Sequence, residues 1–337
     1  MIRDELNRPA ADLRISVTDR CNYRCGYCMP LGQYEWIDRR EILTFEEITR
    51  LARILVGQGI RKIRLTGGEP LLRRDLDRLV AALSALDGVQ DLCLTTNGAR
   101  LAEQGPALAA AGLGRVNVSL DTLDAEKFRR ITRRDDLAKI LDGLLAAKAL
   151  GLDPIKINTV VERGVNDDEI VPLAEFARRY GFSIRFIEYM DVGNVNDWRL
   201  AKMVPKEEIL GALRGVFALE GGMRNDPSSP SVSYRFADGK GDVGVIASVT
   251  EPFCGDCTRI RLTADGKLVT CLFSERGHDI KTPLRAGASD GELERFISLI
   301  WMARRDRYSE DRFEALRSSE GYAVRGRRKI EMIRLGG

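Results

Sequence analysis

Three cysteines within eight residues are the first feature of this 337-residue chain that could do chemistry. Cys21, Cys25 and Cys28 have C-x3-C-x2-C spacing, so one loop can turn all three thiols toward a single inorganic centre. A 4Fe–4S cluster is normally held by four cysteine thiolates, and three would leave one iron open to another ligand. A zinc site, which usually closes with four ligands when it is structural, and a redox dithiol remain alternatives.

A second group of three cysteines lies in the C-terminal part of the chain. Cys254 and Cys257 form a C-x2-C pair, and a predicted Asp-Gly hairpin turn brings Cys271 back toward them. The spare candidates for a fourth ligand are Cys93, interpreted as a small buried strand residue, and His278, which could complete the second site although a lone loop histidine is more often a surface residue. Two closed zinc sites are therefore difficult to assemble from this sequence.

The composition narrows the class of protein. Hydrophobic residues make up 44% and charged residues 31% of the chain, as in ordinary globular proteins. A net charge of +3 is too small to indicate a nucleic-acid binder, and no apolar run approaches the ~20 residues that span a bilayer. The odd count of seven cysteines is unlike a secreted disulfide framework. We expect a cytoplasmic protein without a nucleic-acid or membrane partner.

Repeated strand, loop and helix units must position the first cysteine group. Residues 13–17 alternate apolar and polar side chains, which predicts a strand that leads into the cysteine loop. Thr44-Phe-Glu-Glu47 then forms a capping box at the start of a helix. The unit recurs, and we predict further strands at 62–65, 91–94, 115–120, 155–161 and 182–187.

This order of elements predicts an α/β fold on a parallel sheet, either a barrel or an open doubly wound sheet. Unusual residues follow every predicted strand, and in a barrel all strand ends can contribute to one site. We therefore favour an incomplete (β/α)6 TIM-like barrel over residues 1–200. The composition changes after about Trp198, and residues 201–337 are predicted to form a C-terminal α+β domain that carries the second cysteine group.

Cations interrupt four of the predicted strands, at Arg14, Arg64, Lys156 and Arg185. Strands of a parallel barrel are normally apolar on both faces, and an unpaired buried cation is costly. Four cations that converge from four strands predict an anionic ligand with several phosphates in the lumen. The alternative is that each pairs with a carboxylate such as Asp121 or Glu188, or reaches water near a strand end.

The motifs resemble those of a known superfamily. The C-x3-C-x2-C group with Tyr27 before its last cysteine, followed by Gly67-Gly-Glu-Pro70, is similar to the radical S-adenosylmethionine superfamily. The second cysteine group, the Cys257-Thr-Arg-Ile-Arg261 segment and the terminal Gly336-Gly337 resemble one family within it, the GTP 3',8-cyclases of molybdenum cofactor biosynthesis. The resemblance spans nearly the whole chain.

The resemblance implies roles for individual residues. The two cysteine groups would hold two 4Fe–4S clusters, the first through Cys21, Cys25 and Cys28 and the second through Cys254, Cys257 and Cys271. The contacts to S-adenosylmethionine match Tyr27, Gly68, Ser119 and Met190. The contacts to GTP match Arg14, Arg64, Thr95, Lys156, Arg259, Ile260 and Arg261, with Arg185 added by position. The expected catalytic residues are Arg259, Arg261 and the tail glycines Gly336 and Gly337, which would enter the barrel.

The implied activity is that of a radical lyase. A 5'-deoxyadenosyl radical would take a hydrogen atom from C3' of the GTP ribose, C3' would attack C8 of guanine, and reduction would give (8S)-3',8-cyclo-7,8-dihydroguanosine 5'-triphosphate. The implied partners are a cellular electron donor and a downstream cyclic pyranopterin monophosphate synthase, and a homodimer is compatible with the resemblance. Two alternatives stay open: another radical S-adenosylmethionine enzyme, such as a peptide-modifying maturase, and a non-catalytic zinc protein whose basic tail binds nucleic acid.

Overall fold

The computed structural model describes residues 1–29, 32, 34–194, 196–224, 226–318 and 328–336. The strands of these residues, numbered in chain order, are β1 (Asp12–Ser16), β2 (Lys62–Thr66), β3 (Asp91–Thr96), β4 (Arg115–Ser119), β5 (Lys156–Val161), β6 (Ser183–Glu188), β7 (Leu219–Met223), β8 (Val232–Phe236), β9 (Asp242–Ile246), β10 (Arg259–Leu262), β11 (Lys267–Val269) and β12 (His278–Asp279). Within the described ranges they form one sheet in the order β12-β11-β10-β1-β2-β3-β4-β5-β6-β9-β8-β7.

Helices alternate with the first six strands and continue into the C-terminal part. They are α1 (Phe45–Gly57), α2 (Leu76–Ser84), α3 (Leu101–Ala110), α4 (Ala125–Thr132), α5 (Leu137–Ala149), α6 (Ile170–Tyr180), α7 (Lys206–Arg214), α8 (Lys281–Arg285), α9 (Asp290–Met302), α10 (Tyr308–Arg317) and α11 (Met332–Leu335). Four single 3-10 turns lie between these elements in the described segments, at Pro70–Leu72, Asp167–Glu169, Leu200–Lys202 and Cys254–Asp256.

Strands β1 to β6 pair in parallel and in sequence order, so the predicted α/β fold with a parallel sheet is confirmed. The predicted capping box is present as well, since Thr44 N donates to Glu47 Oε2 at 2.8 Å and Glu47 N to Thr44 Oγ1 at 3.2 Å. Helix α4 was not predicted. It begins where Asp124 Oδ1 accepts from Lys127 N at 2.7 Å, which satisfies one of the open amides of its first turn.

The C-terminal part of the chain extends the sheet at both edges. Strand β10 pairs in parallel with β1, and β9 pairs in parallel with β6. An exposed edge strand leaves a row of unpaired backbone groups, and these additions cover both edges of the six-stranded array. The arrangement agrees with a partial barrel whose sheet runs without a break into the C-terminal region.

Strand β1 shows how the fold presents charge to the lumen. Leu13 and Ile15 are fully buried in the hydrophobic core, on the face that meets the helices. Because side chains alternate along a strand, Arg14 and Ser16 point to the opposite face, and both are buried there. In the described part of the chain, no helix combines the length and the apolar character needed to cross a membrane.

Candidate active site

The first cysteine group lies just beyond the carboxyl end of β1, on a loop that its own backbone closes. The N–H groups of Cys28 and Met29 both donate to Cys25 O at 3.0 Å, which winds the loop into a tight turn. The three thiols are half-buried and free of disulfides. Burial and the Glu69 carboxylate raise the pKa of Cys21 to about 11, and burial with the Cys21 thiol raises the pKa of Cys28 to about 12.

Gly68 packs its backbone directly against this loop. Gly68 N donates to Thr18 O at 2.7 Å, and a Cβ atom at this position would lie 2.4 Å from Arg20 O. A residue with a side chain cannot make this approach without moving the backbone. Glu69 next to it is buried and accepts from Thr96 Oγ1 at 2.7 Å. The Gly-Gly-Glu-Pro segment thus joins the cysteine loop to the end of β3.

Two of the residues expected to contact S-adenosylmethionine, Ser119 and Tyr27, lie beside a thiol of the first cysteine group. They line a small cavity together with Cys25. Met190 instead lines the central cavity of the protein, which Tyr27 and the second cysteine group also line. What these residues bind stays a prediction.

An aspartate that the sequence did not single out as a site residue orients Tyr27. The Tyr27 hydroxyl donates to Asp121 Oδ2 at 2.7 Å, and Val160 N donates to Asp121 Oδ1 at 2.9 Å. Burial raises the pKa of Asp121 to about 6. Its position after β4 agrees with the prediction that unusual residues at the strand ends share one site, but no local pattern in the sequence indicates that Asp121 meets Tyr27.

The second cysteine group lines the central cavity with all three members, Cys254, Cys257 and Cys271. Arg259, at the start of β10, donates to Cys257 Sγ from Nε at 3.2 Å and from Nη2 at 3.1 Å. Although burial alone would raise it, Arg259 and Arg304 lower the pKa of the Cys257 thiol to about 6. These cations favour the thiolate, the form that binds metal. Across the described residues, no three His, Cys, Asp or Glu side chains converge closely enough to hold a single metal ion.

Three of the four predicted strand cations, Arg14, Arg64 and Arg185, converge on the same central cavity, which Arg261 also lines. Strand pairing places Arg14 opposite both Arg64 in β2 and Arg261 in β10. Arg14 Nε and Arg64 Nε are buried without a hydrogen-bond partner among the described residues. Such a row of buried guanidinium groups is stable only if an anion joins it or if the positive charge is weakened.

The electrostatics of these cations reflect their crowding. Burial together with Arg64 and Arg261 lowers the pKa of Arg14 well below its usual range. Burial and Arg64 lower the pKa of Arg185 to about 10, and burial with Arg259 lowers that of Arg261 to about 10. An anionic ligand with several negative charges fits this set, because it would relieve the repulsion between neighbouring guanidinium groups.

The carboxylates considered as partners for these cations are engaged elsewhere. Glu188 accepts from the N–H groups of Lys206, Val249 and Thr250 at 2.8 to 2.9 Å, so it caps the backbone of the C-terminal region. Asp121 accepts from Tyr27. Asp12 is an acidic residue that lies among the cations. Burial alone would raise the pKa of Asp12, but Arg14 and Arg64 lower it.

Lys156 faces an adjoining cavity at the amino ends of the strands. Arg64 and Arg185 line both cavities, and Lys62 and Arg115 join Lys156 in the second one. Burial and Arg185 lower the pKa of Lys156 to about 8. Lys62 and Arg115 were not predicted, although Lys62 shares a face of β2 with Arg64 and the two-residue period of a strand could have indicated it.

Two residues expected to contact GTP lie in other surroundings, Thr95 between two strands and Ile260 in the hydrophobic core. The Thr95 hydroxyl accepts from Asn117 Nδ2 at 3.5 Å, between β3 and β4. Ile260 is fully buried in the hydrophobic core, on the face of β10 opposite to Arg259 and Arg261. Any contact of Ile260 with a ligand of the central cavity would therefore use its main chain.

The C-terminal tail reaches the same region. Arg261 Nη1 donates to Gly336 O at 2.7 Å. A Cβ atom on Gly336 would lie 2.3 Å from Thr66 Cγ2 and 2.9 Å from Ser16 Oγ, so a side chain has no room at this position. Gly337, the other expected tail residue, lies outside the described residues.

Buried polar contacts that the sequence did not predict fasten this tail. Asp191, which follows Met190, accepts from Arg312 on α10 and from Lys329 Nζ, the latter at 2.8 Å. Asn194 Nδ2 donates to Lys329 O at 2.7 Å. These partners are far apart in the sequence, and no local pattern relates them.

Comparisons with known proteins agree with this architecture. A profile described as the radical SAM superfamily matches residues 15–177, and one described as Molybdenum Cofactor Synthesis C matches residues 182–310. A solved structure, Streptococcus suis SuiB bound to S-adenosylmethionine, superposes with a TM-score of 0.61 at 15% identity and covers 93% of this chain and 70% of that chain. This likeness concerns the fold alone.

Full-length relatives are considerably more similar. The GTP 3',8-cyclase of Acidothermus cellulolyticus is 50% identical over 358 residues, covering 100% of this chain and 99% of the relative. The GTP 3',8-cyclase of Aquifex aeolicus is 44% identical over 339 residues, and this alignment covers 100% of this chain and 100% of the relative. The chain therefore belongs to the radical S-adenosylmethionine superfamily and, within it, to the GTP 3',8-cyclase family.

Proposed function

We propose that this protein is a GTP 3',8-cyclase that converts GTP to (8S)-3',8-cyclo-7,8-dihydroguanosine 5'-triphosphate in molybdenum cofactor biosynthesis. The observation that carries the proposal is that arginines and the second cysteine group line the same cavity. Arg14, Arg64 and Arg185 line it, with Arg14 Nε and Arg64 Nε buried, and the second cysteine group lines its wall. A nucleoside triphosphate supplies both the negative charge that the arginines need and a base that can reach the thiol site.

The donor sets fit the two clusters that the family implies. Cys21, Cys25 and Cys28 would hold the first, and Cys254, Cys257 and Cys271 the second, since each group offers three free thiols on short loops. When bound, the first cluster with S-adenosylmethionine supplies the radical chemistry that removes hydrogen from C3' of the ribose.

The chain's own residues bind, orient and enclose the substrate. Arg14, Arg64, Arg185 and Lys156 neutralise the triphosphate and fix its direction along the lumen. Arg259 and Arg261 lie between the strand cations and the second cysteine group, where they hold the guanosine end. Gly336, packed against Arg261, closes the site against water.

Tyr27, Gly68, Ser119 and Met190 form the S-adenosylmethionine side of the site in this proposal. Asp121 keeps the Tyr27 hydroxyl in place through its 2.7 Å hydrogen bond. Near its thiols, Arg24 Nη1 donates to Cys21 O at 2.9 Å.

We also propose a domain organisation, a cellular compartment and partners for this protein. We assign residues 1–200 to the radical barrel and 201–337 to the domain of the second cluster, and place the protein in a reducing cytoplasm. A cellular electron donor precedes the reaction and cyclic pyranopterin monophosphate synthase follows it, and the chain is compatible with a homodimer. A peptide-modifying maturase is less consistent with the site, because a peptide does not supply several negative charges to the buried arginines.

The test is anaerobic incubation of the reduced, iron-loaded protein with GTP and S-adenosylmethionine. We expect 5'-deoxyadenosine and a cyclised nucleotide to form in equal amounts. Iron analysis that found two zincs and no iron, or 5'-deoxyadenosine formation without any cyclised nucleotide, would contradict the proposal.

A further inference from the structure

The N-terminal segment carries a buried charge cluster that the proposed reaction does not use. Asp4 and Arg8 are 7% and 2% exposed, and Arg304, just after α9, is 4% exposed. Arg8 Nε donates to Asp4 Oδ2 at 2.6 Å, and Arg304 Nη1 donates to the same oxygen at 3.2 Å. Buried charges are costly, so a cluster of three that joins the N-terminal segment to the end of α9 calls for an explanation.

Both arginines of this cluster donate to main-chain carbonyls of the second cysteine group. Arg8 Nη1 donates to Cys254 O at 2.7 Å, and Arg304 Nη1 donates to Cys257 O at 2.7 Å. These two carbonyls belong to the two cysteines of the C-x2-C pair. The pair is therefore held at both of its ends by guanidinium groups, and one carboxylate orients both groups.

The cluster is also tied to the surrounding structure. Arg8 Nη1 donates to Asp306 O at 2.8 Å, and Trp301 Nε1 donates to Arg8 O at 3.1 Å. Ile2 N donates to Gln58 O at 3.2 Å, which joins the N-terminal segment to the end of α1. The cysteine pair, the end of α9 and the barrel are thus connected through one short segment.

We propose that Asp4, Arg8 and Arg304 are positioning residues for the second cysteine group, which set the spacing of Cys254 and Cys257 for cluster binding. The inference rests on the proposed function, because that function places a cluster at this group. A fork-shaped guanidinium can bond an acid and a carbonyl at once, whereas a lysine at position 8 would keep the charge and lose that geometry. Positive charge beside the pair also favours electron addition to a bound cluster.

The experiment uses the full chain with Cys21, Cys25 and Cys28 replaced by alanine, so that all bound iron reports the second group. In this parent we compare Arg8→Gln, Arg8→Lys and Asp4→Asn after anaerobic reconstitution. The matched control is Arg305→Gln, because Arg305 pairs with Glu5 across the same two segments but is exposed. The measurements are iron and sulfide per chain, the rate of iron loss to a chelator, the reduction potential and the thermal midpoint.

We expect Arg8→Gln and Asp4→Asn to lose iron at least about fivefold faster than the parent, and the potential of Arg8→Gln to become more negative. Arg8→Lys should restore the potential but not the rate of iron loss. Arg305→Gln should match the parent throughout. A role in folding alone would lower the thermal midpoint and leave the potential of the bound cluster unchanged.

The outcomes separate this inference from the proposed function. If the parent binds iron and the three variants keep it with the same rate and potential, the positioning role is refuted and the second cluster stands. If Arg305→Gln loses iron as fast as Arg8→Gln, the effect is not specific and the inference fails. If the parent itself binds no iron, the second cluster is refuted and the positioning role with it. Should Arg8→Gln not fold, Asp4→Asn and Arg8→Lys carry the same comparison.

Discussion

One thiol of the first cysteine group has its pKa raised by a carboxylate, whereas one thiol of the second group has its pKa lowered by arginines. Glu69 adds to burial in raising the pKa of Cys21 to about 11, and Asp121, which follows β4, accepts a hydrogen bond from Tyr27 of the same loop as Cys21. At the second group, Arg259 contacts Cys257 Sγ directly and, with Arg304, brings the pKa of that thiol to about 6. Cys21 and Cys257 therefore lie in opposite electrostatic surroundings, whereas burial and Asp306 raise the pKa of Cys271 to about 12.

In the proposed function, this difference would help to select the ligand of each cysteine group. A sulfonium cation is favoured near carboxylates and disfavoured near a row of guanidinium groups, and the reverse holds for a triphosphate. Charge would therefore favour S-adenosylmethionine at the first group and GTP at the second. Substitutions at the two groups should accordingly affect different ligands.

The largest expected effect is that replacing one cysteine of each group abolishes different products. Cys25→Ser should abolish S-adenosylmethionine cleavage, because it removes a ligand from the site where the cosubstrate binds. Cys257→Ser should leave part of that cleavage and lose the cyclised nucleotide. Separate assays of 5'-deoxyadenosine and nucleotide product would show the split, and full GTP turnover by Cys257→Ser would remove the role of the second group.

Replacing a lumen cation should weaken GTP binding without affecting the other side. Arg14→Gln should cost about 3 kcal/mol of binding free energy, or about 100-fold in affinity, because a desolvated charge contact to phosphate is lost. S-adenosylmethionine affinity should not change. Calorimetric titration of both ligands would test this, and an equal loss for both would mean that the two sides are not electrostatically distinct.

The stability of the same variant gives an independent check. Without ligand, Arg14→Gln should unfold at the same or a higher temperature, since Arg14 Nε is buried without a partner among the described residues. The matched variant Arg115→Gln should lose about 1–3 kcal/mol of unfolding free energy, because Asp91 would lose its partner at 2.8 Å. If both variants were destabilised equally, Arg14 would have a stabilising partner in the unliganded protein.

The tail glycine should be sensitive to size rather than to backbone conformation. Gly336→Ala places a methyl group 2.3 Å from Thr66 Cγ2, and displacing the tail should cost about 2 kcal/mol, or about 30-fold in product formation. Gly151→Ala is the control, because Gly151 has a similar φ of +73° and no atoms within 4 Å of the added carbon. Equal loss of activity in both would mean that strain alone explains the effect.

Alternation along single strands predicted the lumen cations, because Leu13 and Ile15 fix one face of β1 and leave Arg14 on the other. The six parallel strands followed from the same local patterns. What local patterns could not provide is the row formed by Arg14, Arg64 and Arg261, since its register depends on the pairing of β1 with β10 from the far end of the chain.

The fastening of the tail was also beyond prediction from the sequence. Asp191, Arg312 and Lys329 are isolated charges in three different segments, and each alone looks like a solvated surface residue. Buried ion clusters of this kind are specified by tertiary packing, which brings together side chains with no common periodicity. For the same reason, the sequence does not indicate that Asp4, Arg8 and Arg304 meet beside the second cysteine pair.

The smallest predicted effect is a pH dependence confined to the GTP side. Burial and Arg185 lower the pKa of Lys156 from its usual value to about 8, so its charge is present at pH 7 and mostly lost at pH 9. GTP affinity should therefore fall by up to about tenfold over that range. The unliganded protein should instead gain stability between pH 8 and the ordinary lysine pKa, because the folded state releases this proton before the unfolded state does. Lys156→Arg, which stays charged, should flatten the affinity profile, and a profile that remained steep would assign the titration to another group.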